Sequence, residues 1–82
     1  MNLDQSAKDE LLKLHIDCVR SLRRYIGEAN QTCTLLAQVE GFPIPAPRRI
    51  EMIDQRESEN RASARYQNAR KRLFDAAKWG DS

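Results

Sequence analysis

The stretch Gly41-Phe42-Pro43-Ile44-Pro45-Ala46-Pro47 decides how the chain folds. It holds all three prolines and one of the three glycines. A proline pushes the residue before it out of the helical region, so proline at every second position holds this segment extended. Gly41 is placed to end a helix as a left-handed residue, with Phe42 packing back on the last turn. Pro47 suits the first turn of a following helix, where its missing N–H costs nothing. A proline-rich segment can also be a ligand for SH3-type domains, but the P-x-x-P spacing is absent. The segment reads as a rigid bend over residues 41–47, between helices of about 5–40 and about 48–79. The expectation is a single all-α domain over 1–82: a long antiparallel two-helix hairpin that dimerises into a four-helix bundle.

Upstream of the bend, apolar positions keep a seven-residue repeat. One seam is Leu12, Val19, Ile26 and Cys33; the second is His15, Leu22, Ala29 and Leu36. A flanking row of Leu11, Cys18, Tyr25, Thr32 and Val39 widens the stripe enough to touch more than one neighbouring helix. Lys13, Asp17, Arg20, Arg24, Glu28, Gln31 and Gln38 take the outer positions. Ser6 is the expected N-cap, with Asp4 as the alternative two residues earlier and Asp9 and Glu10 at the positive end of the helix dipole. Gly27 follows Arg23 and Arg24, which is a helix-end signal and gives an alternative fold, a three-helix bundle broken at Gly27. Both seams keep their phase across Gly27, which favours one continuous helix with the glycine exposed.

Downstream, Ala62, Tyr66, Ala69, Leu73 and Ala76 form one seam, and its small residues allow close helix approach. Continued backwards, it passes Glu59, Gln55 and Met52, so the middle of the hairpin carries polar residues where apolar ones are the norm. Ile50 and Ile53 fall out of this phase. Leu14, Leu35, Phe74 and Ala77 also lie outside the seams and suggest a second contact surface. A register that sets residue i opposite 88 − i puts Tyr66 on Leu22, Leu73 on His15 and Trp79 over the Lys8–Leu12 end.

With 82 residues, 40% of them hydrophobic and 32% charged, one copy has little core to build. Self-association is therefore expected, through Leu12, His15, Val19, Leu22, Ile26, Cys33, Leu36, Tyr66 and Leu73. The N-terminal residues lack a basic segment followed by an apolar core, and no apolar run approaches the ~20 residues of a membrane span. A cytoplasmic protein with no membrane partner is expected. Cys18 and Cys33 lie about 22 Å apart on one helix, too far for a disulfide, and read as buried free thiols.

No catalytic set is present. His15 is the only histidine, which leaves His15 and Cys18 short of a metal site. No phosphate-cradling glycine motif occurs. No enzyme activity, cofactor, metal or small-molecule substrate is expected. The formal net charge is only +2, but it is unevenly spread. Residues 61–78 carry six basic side chains against one acid, Asp75, whereas residues 51–59 carry four acids against Arg56. Pairs at i, i+4, such as Arg24/Glu28, Glu57/Arg61 and Lys71/Asp75, would absorb part of this charge. The primary functional expectation is a protein-interaction module acting through helical-bundle self-association, as a homodimer or with a helical partner. The alternative is a small nucleic-acid-binding protein using Arg20, Arg23, Arg24, Arg61, Arg65 and Arg72.

Overall fold

The computed structural model describes residues 3–80, with side-chain surroundings over 5–78. Two helices make the whole architecture: α1, Leu3–Ala37, and α2, Ala46–Gly80. They fold back on each other as an antiparallel hairpin measuring 65 × 15 × 14 Å. The all-α hairpin expected from the bend is therefore what the chain forms. α1 runs unbroken through Gly27, so the three-helix alternative is excluded. A Cβ built on Gly27 meets nothing within 4 Å, which places it on an open side of the rod.

The helix ends differ in detail from expectation. α1 starts at Leu3, so Ser6 lies inside the helix and does not cap it. In this first stretch the Gln5 amide donates to Asp9 Oδ1 at 3.1 Å, one turn ahead. At the other end α1 stops at Ala37, short of residue 40. The Gln38 N–H is shared between the carbonyls of Thr34 and Leu35, and Val39 N–H bonds that of Leu36, all at 3.2 Å. Bonds reaching back three residues tighten the last turn, and the chain leaves the helix before Gly41. Gly41 has no positive φ, so it is not a left-handed cap. Phe42 is 88% exposed and does not pack back on α1. The Phe42–Pro43 peptide is cis.

α2 begins two residues earlier than expected. The Pro45 carbonyl accepts from Arg49 N–H at 3.0 Å, which makes Pro45 the cap and puts Pro47 in the first turn. Arg48 then ties the helix ends together. Its Nη1 donates to Gln38 Oε1 at 2.8 Å and meets Glu51 Oε2 at 3.2 Å.

Threonine is a weak helix former, yet Thr32 and Thr34 sit well inside α1. Their hydroxyls donate back to the carbonyls of Glu28 and Asn30, at 3.1 and 3.0 Å, which satisfies them within the helix.

Three cross-hairpin contacts define the register: Gln38 with Arg48, Glu28 with Gln55, and Tyr25 with Tyr66. The first and last fall within one turn of the 88 − i pairing; Gln55 reaches five residues beyond it. The tyrosine rings lie near-parallel, 15° apart, with centroids separated by 6.2 Å. Tyr66 thus pairs with Tyr25, the central row of α1, and His15 is exposed at the edge. The Trp79 side chain, expected over the Lys8–Leu12 end, lies outside the described residues.

Ala62 and Ala69, at 4% and 8% exposure, are the buried hydrophobic residues of the described chain. Around them Tyr66, Leu73 and Ala76 are half-buried, so the α2 seam is as expected. On α1 the contact face is shifted. The row Leu11, Cys18, Tyr25 and Thr32 lies half-buried at its centre, flanked by Leu14, Ser21, Glu28 and Leu35. Leu14 and Leu35 therefore belong to the helix–helix contact and not to a second surface. Phe74 is exposed, with the Arg70 guanidinium 5.3 Å from its ring centroid. Of the two thiols, both free, Cys18 is half-buried but Cys33 is exposed, against the expectation of two buried ones.

Candidate functional site

With the Leu11/Cys18/Tyr25/Thr32 row facing α2, the seven-residue repeat sends the other α1 rows to opposite flanks of the rod. Leu12, Val19, Ile26 and Cys33 go to one flank, beside His15, Leu22, Ala29 and Leu36. Asp17, Arg24 and Gln31 go to the other, beside Ser21 and Glu28. α2 is divided in the same sense: the row Met52, Glu59, Tyr66 and Leu73 joins the first flank, and Arg61, Arg65 and Arg72 the second.

The first flank collects all nine residues expected in self-association. Val19, Leu22, Tyr66 and Leu73 are half-buried against the partner helix. His15 and Cys33 are exposed, and Leu12, Ile26 and Leu36 are 57%, 49% and 54% exposed. Towards the bend this flank opens into an apolar depression between Leu36, Met52 and Ile53, closed by Thr32, Leu35 and Arg56. Ile53 is 59% exposed. Its place here was obscured in the sequence because it is out of phase with the alanine seam. The phase offset itself is the signal: Ile53 sits one position beyond the Met52 row, on the side of α2 turned from α1 towards this flank.

The second flank is a polar groove. At one end Asp17, Arg20 and Ser21 of α1 face Arg65, Asn68 and Arg72 of α2 across Ala69. Further along, Arg24 and Glu28 face Ser58, Arg61 and Arg65 across Ala62. Five of the six expected arginines thus line two adjoining depressions of this groove, which share Arg65. Arg23 is exposed and stands outside its lining.

The expected i, i+4 ion pairs do not form. Among the described residues the one salt bridge is Arg48–Glu51, so Arg24/Glu28, Glu57/Arg61 and Lys71/Asp75 are not paired at that range. The physical cause is visible for Glu28, which was expected on the outer face. It is half-buried and turned to the hairpin, where Gln55 holds its carboxylate at 2.8 Å. Arg61 instead donates from Nη2 to Ser58 Oγ at 3.3 Å.

No group of three or more His, Cys, Asp or Glu side chains able to hold a metal ion occurs among the described residues. No described helix is long and apolar enough to cross a membrane. No family model, curated protein or solved structure matches the chain.

Proposed function

We propose that the hairpin is a non-enzymatic assembly module whose apolar flank packs against a second copy of itself to make a four-helix bundle. The observation that carries this reading is the pairing of a minimal core with several large apolar side chains left exposed along one flank. One copy buries two alanines, while Leu12, Ile26, Leu36 and Ile53 stand about half-exposed or more on a single flank. Fully burying a leucine or isoleucine contributes about 1.5–3 kcal/mol, which rewards pairing these faces. A chain near this length rarely gains more than about 3–5 kcal/mol from its own core.

A stripe on both helices of the hairpin suits a bundle better than a simple coiled coil, since each helix then gains two neighbours. The Tyr25–Tyr66 stack and the Gln55–Glu28 bonds support it from inside, by fixing which residues share the flank.

Light scattering over a dilution series, together with thermal unfolding, tests the proposal. The expected result is twice the chain mass, with a melting temperature that falls on dilution. A monomer whose unfolding is the same at every concentration would contradict it.

A further inference from the structure

We infer that the arginine groove on the opposite flank binds the phosphate backbone of a nucleic-acid duplex without reading its sequence. Arg20 and Arg24 form one wall, and Arg61, Arg65 and Arg72 the other. All five are exposed, and none belongs to a salt bridge among the described residues. The acids of this stretch are Asp17 and Glu28, set against the five arginines, and the groove turns acidic with Glu51 and Asp54 only beyond Ser58, towards the bend. The surplus is therefore cationic, and guanidinium forks match phosphate oxygens in pairs.

Spacing and lining select the partner. Arg61 and Arg72 are eleven residues apart on α2, about 16 Å along the axis. A duplex presents roughly one negative charge per 1.7 Å of its axis, so several phosphates fall within that reach. An acidic helical peptide would need apolar anchors to dock, and the groove offers only the floor alanines. A single strand is held mainly by stacking its bases on aromatic rings, and no aromatic side chain lines the groove. What remains is charge and hydrogen bonding to a backbone whose bases are already stacked inside, which positions a protein without specifying sequence. The groove lies on the flank away from the apolar face, so pairing through that face, as proposed above, leaves it open.

Fluorescence anisotropy with labelled mixed-sequence DNA and RNA duplexes, using the full chain across a salt series, tests the inference. With three to five phosphates neutralised, log K should fall against log salt with a slope of about −3 to −4.5, whatever the duplex sequence. Arg65→Gln and Arg20→Gln, each checked for unchanged helicity by circular dichroism, should weaken binding on the order of tenfold and flatten the slope by about one. Absence of binding at about 50 mM salt would overturn the inference. So would binding that both variants leave unchanged, displacement by poly-glutamate at equal charge, or tighter binding to a single strand than to a duplex.

Discussion

Gln55 spans the hairpin to Glu28, its amide nitrogen donating at 2.9 Å to the main-chain carbonyl and at 2.8 Å to the carboxylate. Both amide hydrogens are used on one residue of the other helix. The pair is half-buried in the middle of the seam, where apolar side chains would pack with less penalty. A polar residue at such a position costs stability and fixes alignment. Gln55→Ala should lower unfolding free energy by about 1–2 kcal/mol. A double-mutant cycle with Glu28→Ala, followed by urea unfolding, should show a coupling of about 0.5–1.5 kcal/mol. Strictly additive effects would mean that the two bonds contribute nothing to folding.

Gly27 offers the opposite case, a residue that weakens α1 without a packing reason. Space around its Cβ position is open, and its helical backbone is one that alanine adopts. Gly27→Ala should stabilise the protein by about 1 kcal/mol, read as a raised melting temperature. A lowered one would show that this face touches something that a methyl group disturbs.

Ile26 stands at the centre of the apolar flank and is 49% exposed in one copy. A lysine there can reach water from a lone hairpin but not from within a bundle. Ile26→Lys should therefore leave the chain helical while abolishing the dimer, as measured by sedimentation. A dimer of unchanged affinity would place the interface elsewhere.

Ala69 is 8% exposed at the helix–helix contact. Leucine at this position has no room unless the helices separate, and overpacking of this kind costs about 1–3 kcal/mol. Ala69→Leu should lower stability by that amount in chemical denaturation. Unchanged stability would show that α1 and α2 do not meet closely there.

Phe42, at 88% exposure, makes a control for the bend. Phe42→Ser should shift stability by no more than about 0.5 kcal/mol, because no buried surface is lost. A larger loss would restore the packing role that the sequence suggests for it.

The hairpin was legible because two signals agreed: prolines concentrated in one short segment, and heptad phase preserved across Gly27. The arginine cluster was legible too, since Arg20 and Arg65 come together from any antiparallel pairing near the observed register. What the sequence concealed was which part of a wide apolar stripe faces the partner helix. Leu12, Ile26 and Leu36 are more hydrophobic than Thr32 or Ser21, so periodicity alone puts them inward. Tyr25 instead stacks on Tyr66, its row faces α2, and the stronger apolar residues are left to one side. Gln55 contributes to this choice by holding Glu28, which a charge-based reading assigns to solvent. The ends of the bend were obscured for a similar reason. A glycine signals a helix end only if the helix reaches it, and here a tightened turn stops at Ala37 first.

The rod shape has a practical consequence in solution. The Cα radius of gyration is 18.5 Å. A compact chain of this length has a radius of about 12 Å. One hairpin will therefore tumble and elute like a considerably heavier globular particle, and a calibrated column would report a false dimer. Pairing two rods side by side thickens the particle far more than it lengthens it, so the frictional ratio should drop when the bundle forms. Diffusion that slows less than the doubled mass implies is thus the hydrodynamic signature of lateral pairing, and it separates that arrangement from end-to-end association.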